Sequence, residues 1–303
     1  MAVKSKRLFC FGYGYVCDYL GHALQEQGGW TLSGTTRDSE KRNVLLNRRI
    51  RAHIFDEEHP LADPTSILRD VTHVLVAAPP DAQGAPAFRM HAEDVLRMPN
   101  LEWFGYISTT GVYGDRNGGS VDEMSEVNPT NVRGQKRLTA ERQWLSLWET
   151  YNLPVHIFRL SGIYGPGRSA LDTVRVGVPR RIDKPGHKFN RIHVEDIVQA
   201  IIQSFEQPNP GAAYNLADDQ PAPSHEVISY ACELLDMPVP PLIPFSEADV
   251  SPMVNSFYKD NKIVLNNRIK EELGVNLKYP DYKSGLDGCL AAEQYAESQQ
   301  ETA

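Results

Sequence analysis

No apolar run in these 303 residues approaches the length that crosses a bilayer, and no basic excess is available to hold nucleic acid or an anionic membrane. The formal charge is -8 and the isoelectric point is near 5.6, which excludes both as main partners. Neither a basic stripe nor an RNA-binding motif is present, and there are no repeats or low-complexity tracts. Cysteine is scarce too. Cys10, Cys17, Cys232 and Cys289 lack metal-ligand spacing, so no metal site is expected, and two of them fall in a segment expected to be buried. They read as reduced thiols in a cytoplasmic protein. Met1 to Arg7 is basic but precedes only four apolar residues, too few for a secretory leader. What remains is an ordinary globular composition, 41% hydrophobic and 23% charged, enough for one large domain or a large and a small one.

The first thirty-eight residues are the most informative. A strand-like run, RLFCF, leads straight into Gly12-Tyr13-Gly14-Tyr15-Val16-Cys17; an amphipathic helix follows to about Gln27, and a second strand, 30–35, ends in Thr36-Arg37. Such a strand, glycine turn, helix, strand unit binds dinucleotides. Gly12 permits the tight turn, Gly14 lets backbone amides approach a pyrophosphate, and the helix N-terminus adds a partial positive charge. The phosphates are therefore expected over Gly12, Gly14, Tyr15 and Val16. Cys17 stands where the third glycine belongs, and a small residue there still lets helix and strand pack closely. At the end of the second strand an acid would accept hydrogen bonds from a ribose, whereas Thr36 and Arg37 suit a 2′-phosphate. NADP is favoured over NAD, and Asp38, one residue on, keeps NAD open.

The alternation continues, with a helix over 40–46, strands over 51–55 and 73–77, a helix over 87–98, a strand over 103–108, a helix over 132–151 and a strand over 155–160. This is an α/β chain with a Rossmann-type doubly wound parallel sheet. After Gly165 the elements shorten and Pro-Gly pairs punctuate the chain. We expect an NADP-binding domain over 1–165, with 190–216 and its helix 194–205 returning to it. A smaller C-terminal substrate domain over 166–303 then follows, its polar end frayed from Gln294.

Ligands of such sheets lie beyond the carboxyl ends of the strands. Three segments fall there: Ala77-Ala78-Pro79-Pro80, YISTTGVYGD around Thr109 and Tyr113, and FRLSGIYGPG around Ile163. Together with RIHVEDIVQAI, GAAYNLADD and IKEELGV, these blocks make nearly the whole chain resemble the extended short-chain dehydrogenase/reductases, the NAD(P)-dependent epimerase/dehydratase family. GxGxxC, SGTTRD and TTGVYGDRNGG look most like an atypical, YeeZ-like branch of it. The resemblance implies hydride transfer to or from a small polar carbonyl or alcohol, sugar-type substrates included. It also implies that Thr109 hydrogen-bonds the substrate, that Asp56 binds the adenine amino group, that Ala77, Ala78 and Pro79 line the cofactor, and that Ile163 gives backbone contacts near the nicotinamide. For Asp56 an exposed loop carboxylate is the even alternative, and for Thr109 a turn-stabilising hydroxyl.

The departure from the family is as informative. Its Tyr-x-x-x-Lys pair, in which Lys lowers the phenol pKa for proton exchange, is here Arg133 and Arg137. Arginine stays protonated and has no acceptor, so it cannot replace the phenol; it can hold an anion or stabilise an oxyanion. Tyr113 is the remaining phenol near the turn. It either transfers a proton or packs structurally, and its burial decides between an enzyme and a catalytically silent NADP-binding sensor or scaffold. His193 reads as a packing histidine. Asp122-Glu123 reads as a solvated face and Gly118-Gly119 as a flexible turn that can act as a lid. Trp144 and Trp148 make an aromatic stripe on a helix that in the family often builds a dimer, so a homodimer is expected.

Overall fold

The computed structural model describes residues 6–177 and 179–301. Met1–Ser5 of the basic N-terminal stretch and the last two residues of the polar end lie outside the described residues. In chain order the elements begin with β1 (Lys6–Phe11), α1 (Tyr15–Gln27), β2 (Trp30–Thr36), α2 (Ser39–Asn47), β3 (Arg51–Ile54), α3 (Pro64–Leu68), β4 (His73–Val76), α4 (Pro86–Leu96), β5 (Trp103–Thr109), β6 (Ser120–Val121), α5 (Val132–Tyr151) and β7 (Val155–Leu160). Then follow β8 (Gly162–Tyr164), α6 (Ala170–Arg175), β9 (Arg181–Asp183), β10 (Arg191–His193), α7 (Val194–Glu206), β11 (Ala213–Leu216), α8 (Ser224–Leu234), β12 (Leu242–Pro244), α9 (Pro252–Lys259), β13 (Ile263–Val264), α10 (Asn267–Leu273) and α11 (Tyr282–Glu301). Among the described residues no helix is long and apolar enough to cross a membrane.

The strands β11-β7-β5-β4-β1-β2-β3 form one seven-stranded parallel sheet, as the alternation predicts. The order reverses at β1, whose two neighbours are β2 and β4, and this is where a doubly wound sheet opens its crevice. The continuous burial of β4 and β7 fits strands covered on both faces. Two units divide the chain: 1–112 with 132–159 and 201–214, and 113–131 with 160–200 and 215–303.

In the first unit the core gathers Phe9, Phe11, Val74, Val76, Phe104 and Trp144. The C-terminal end of α7 returns to this sheet because Phe205 packs edge-on against Trp103, with ring centroids 4.6 Å apart, and lies 5.4 Å from Trp30. Trp144 is fully buried, 4.5 Å from Phe104 and 5.2 Å from Phe88, and Trp148 packs against the same cluster. Trp144 is therefore core and not a docking face, which corrects the stripe's reading as an interface.

The second unit holds three two-stranded pairings, β10-β8, β12-β9 and β13-β6, and a core of Tyr164, Leu171, Ile228, Ala231 and Leu286. Gly118 is not a free lid here: its N–H donates to the Asn261 carbonyl at 2.9 Å, and Ser120 and Val121 pair with Ile263 and Val264. Glu123 is likewise no solvated face, since its carboxylate accepts the Asn215 N–H at 2.7 Å. The chain expected to fray from Gln294 is helical to Glu301 within α11.

Candidate functional site

The turn between β1 and α1 is shaped by two glycines for different reasons. Gly12 has φ +85, and a Cβ there would stand 2.7 Å from the Ala78 backbone nitrogen, so glycine is required by the protein's own close approach. A Cβ on Gly14 would meet nothing nearer than the Gly12 carbonyl at 4.0 Å. Packing does not demand that glycine; what it leaves is open space in front of α1. Gly14 is also the N-cap and supplies no side-chain cap, so the first turn of α1 keeps its donors and its dipole for a ligand. The Thr35 hydroxyl accepts the Gly12 N–H at 2.8 Å, tying the turn to β2. Cys17, at the third glycine position, is fully buried with its Sγ 3.5 Å from the Gly12 carbonyl, where it serves as a small packing residue. All four cysteines are free and buried.

This turn opens on a cleft of about 310 Å³ lined by Gly12, Gly14, Thr36, Arg37, Asp56, Ala77, Ala78 and Pro79, which brings together eight of the residues read from sequence as cofactor-binding. Tyr15 and Val16 begin α1 beside it. Ile163 lies in β8 of the second unit. Tyr13, Thr35 and Asp38, the residue that keeps NAD open in the sequence, also line the cleft, as do Lys41, Phe55, Glu57 and Pro86, which were missed; of these Lys41 had a readable signal, because it stands four residues after Arg37 as α2 begins.

The charges at the cleft's far lip are unequal in their commitments. Asp38 caps α2, its carboxylate accepting the N–H groups of Glu40 at 2.8 Å and Lys41 at 3.3 Å. Arg37 is exposed, and neither its guanidinium nor the Lys41 ammonium makes a hydrogen bond or ion pair among the described residues. Asp56 holds its own loop: Oδ1 accepts the N–H of Glu58 at 2.8 Å and of His59 at 2.9 Å, and the His59 ring adds a third contact. These bonds, the Glu58 amide first, hold its carboxyl below the usual range.

The wall carrying Ala77 to Pro86 is fixed from α5. Gln143 accepts the Ala85 N–H at 2.8 Å through Oε1 and donates to the Gln83 carbonyl at 2.9 Å through Nε2. The loop after β3 is pinned by His91, whose Nε2 accepts the Leu61 N–H at 3.0 Å while its Nδ1 meets Asp94 at 2.8 Å.

The candidate chemical groups after β5 are differently placed. Thr109 is partly exposed; its hydroxyl oxygen accepts the Gly111 N–H at 3.1 Å, leaving the O–H proton available. Arg133 is exposed at the start of α5. Arg137 donates from Nη1 to the Ile107 carbonyl at 2.6 Å and lies over the Tyr106 ring at 5.9 Å, so this guanidinium braces β5. Burial pushes the Tyr106 phenol up to about 12, against the pull of Arg137. Below the turn, the fully engaged carboxylate of Glu141 takes the Ser108 hydroxyl and the fork of Arg159, the latter at 2.9 Å. All three are buried.

In the second unit Tyr113 is fully buried, and its phenol donates to Asn215 Oδ1 at 2.7 Å. By the criterion set from sequence, a buried phenol counts for a structural role. His193 is also fully buried; burial lowers its pKa to about 4, so it is neutral and accepts the Glu195 N–H at 3.3 Å through Nδ1. It packs against Tyr279 and Tyr164, as a packing histidine should.

Residues 90–217 match the model of the NAD dependent epimerase/dehydratase family. The chain is 26% identical over 291 residues to Protein YeeZ of Escherichia coli K12, covering 91% of this chain and 97% of that protein. It is also 26% identical over 247 residues to human dTDP-D-glucose 4,6-dehydratase, covering 78% of this chain and 61% of that enzyme. Among solved structures it is similar to a functionally unknown conserved protein from Silicibacter pomeroyi, at 44% identity and a TM-score of 0.87, covering 95% of this chain and 99% of that one.

Proposed function

From the match of residues 90–217 to the NAD dependent epimerase/dehydratase family model, we propose that the chain is a member of that family and binds NADP(H) in preference to NAD(H) in the cleft of the first unit. We further propose that it works as an oxidoreductase or epimerase-like enzyme on a small polar carbonyl or alcohol of sugar type. The observation that carries the cofactor reading is the lip of the cleft: two cations, Arg37 and Lys41, without partners among the described residues, beside an acid, Asp38, already spent on capping α2. A 2′-phosphate fits two such cations, whereas a ribose diol wants a free carboxylate. The residues also fit the rest of the group. The space before Gly14 and the uncapped N-terminus of α1 suit a pyrophosphate, and Ala77, Ala78 and Pro79 wall the inner end.

When bound, the nicotinamide supplies the hydride acceptor or donor. The chain's own part follows from Thr109 and Arg133. The Thr109 O–H can donate to a carbonyl oxygen or hold a water, and Arg133 offers a cation for a carboxylate or developing oxyanion. The proton comes from that water or from the substrate, with no phenol required. The reading includes a homodimer without Trp144 and a cytoplasmic setting, the latter supported by four free thiols; light scattering tests the dimer.

Two observations favour a second reading, a catalytically silent NADP-binding sensor or scaffold. They are the buried Tyr113 bonded to Asn215 and the use of Arg137 as a brace. A screen of sugar-type and small carbonyl substrates, followed at the nicotinamide absorbance, separates the two. The enzyme reading expects turnover that falls about a hundredfold in Thr109→Val, the loss typical of one oxyanion donor. Firm NADPH binding with no turnover across the screen overturns it in favour of the sensor.

A further inference from the structure

The second unit contains a cavity of its own, about 230 Å³, which no part of the cofactor reading uses. Tyr164, Arg168, Arg191, Ser224 and Tyr282 are among its lining residues, and each belongs to the second unit. Arg191 is the unusual member. It is partly buried on β10, and its Nη1 donates to the carbonyls of Phe189 at 3.0 Å and Ala222 at 2.9 Å, which fixes the guanidinium plane. No carboxylate lies within ion-pair reach of it among the described residues, and Nε and Nη2 make no hydrogen bond there. Those nitrogens are not sealed off in the protein either, and Arg191 lines the cavity.

The acid that pulls most on Arg191 does not neutralise its charge. Asp218 is 2% exposed with Oδ2 unpartnered, and burial pushes its carboxyl up to about 8 despite the pull of Arg191. Arginine cannot shed its proton, so the fold keeps an enclosed cation whose counter-charge is incomplete at neutral pH. Of the other acids nearby, Asp172 closes the capping box with Ser169 and Asp281 caps the first turn of α11 through Ser284, while Glu226 in the first turn of α8 makes no hydrogen bond or ion pair among the described residues.

Two neutral donors face the same space. The Tyr282 side chain is 5% exposed, and its hydroxyl makes no hydrogen bond among the described residues. The eleven-residue helix α8 begins at the cavity after Pro223, which gives no side-chain cap, so its first-turn amides remain donors, while Glu226 in the same turn offsets its dipole. Arg168, exposed at the rim, adds a second cation.

We propose that this cavity binds the phosphoryl group of a small anionic ligand, with Arg168 and the free edge of Arg191 supplying charge and Tyr282 with the start of α8 supplying neutral donors. A tetrahedral oxyanion matches donors converging from several directions, and a planar guanidinium edge takes two of its oxygens. The site is independent of the cofactor cleft, so either reading can fail alone.

The test is titration of the full chain, saturated with NADPH, with inorganic phosphate and separately with glycerol phosphate, at ionic strength held constant with sodium chloride. The readouts are calorimetry and the melting temperature. The expected result is saturable binding of at least one of the two, weakened about tenfold or more in Arg191→Gln and several-fold in Tyr282→Phe. Tighter binding of the ester assigns the cavity to a phosphorylated metabolite, and tighter binding of the free ion assigns it to phosphate itself. Arg37→Ala should lower NADPH affinity while leaving phosphate binding in place, which separates the two sites. Absence of saturable binding of either probe overturns the proposal. So does equal binding in the native protein, Arg191→Gln and Tyr282→Phe.

Discussion

The cleft at the first glycine turn and the segment that follows β5 in sequence are equally rich in polar groups, yet they spend them differently. In the cleft, Arg37 and Lys41 have no partners among the described residues and the space before Gly14 stands open. After β5, Ser108, Glu141 and Arg159 are locked together, Arg137 is bonded to Ile107, and Tyr113 to Asn215. Groups left unsatisfied at a concave surface are available to a ligand, while buried groups with every partner in place hold the fold. The comparison therefore separates a region built to bind from one whose reactive-looking residues are structural. Changes in the first should cost affinity and leave stability alone; changes in the second should do the reverse.

The largest effect should come from the locked group. Glu141→Ala leaves the Arg159 guanidinium buried without its carboxylate, and breaking such a pair costs about 3–5 kcal/mol. Urea unfolding should show this loss while NADPH affinity changes less than about twofold. A loss under about 1 kcal/mol would remove the distinction between the two regions.

Next in size is a pH effect in the same unit. His156 is fully buried, donates through Nδ1 to the Phe104 carbonyl at 3.1 Å and accepts the Asn209 N–H at 3.0 Å through Nε2; burial lowers its pKa to about 4. His73 is lowered to about 4 for the same reason. A base whose folded pKa is depressed gives stability that is present above its unfolded value, near 6.5, and is lost as pH falls toward 4. Each histidine can withdraw up to about 3 kcal/mol over that window. Asp218 in the second unit acts with the opposite sign, since its raised pKa withdraws stability as pH climbs from its unfolded value toward about 8. Melts from pH 8 to 4.5 should therefore fall more steeply in Asp218→Asn, which has lost the compensating proton. Parallel curves would contradict this assignment.

Smaller still is Tyr113→Phe, which strands Asn215 Oδ1 in the interior and should cost about 1–3 kcal/mol. If a substrate is found, its turnover should survive the change at the native rate, measured on the folded fraction. A large fall in turnover with unchanged stability would return the phenol to chemistry.

Much of the first unit was legible because its signals are local. The run RLFCF, the Gly12 turn and the amphipathic α1 give period and punctuation within thirty residues, and α5 and β7 start and stop where the pattern predicts. The helix α3 escaped because five residues are too few for a period, although Asp63 as N-cap with Pro64 following was a readable start. The three-residue strands β9, β10 and β12 are shorter than any alternation can define. Partners distant in sequence were invisible: Asn215 lies 102 residues from Tyr113, and the Phe88 and Phe104 rings that bury Trp144 come from other elements. The cavity at Arg191 draws on α6, α8 and α11, which no local pattern connects.

The central claim is that the free cations at the lip of the cleft await a phosphate. Calorimetric titration of the native protein with NADPH and NADH, repeated on Arg37→Ala, tests it directly. Charge-assisted contacts to a phosphate are worth about 1.5–3 kcal/mol, so NADPH should bind at least about tenfold more tightly than NADH, and Arg37→Ala should remove most of that difference without altering the melting temperature. Equal affinity for the two cofactors in the native protein, or a preference that survives Arg37→Ala undiminished, would contradict the account.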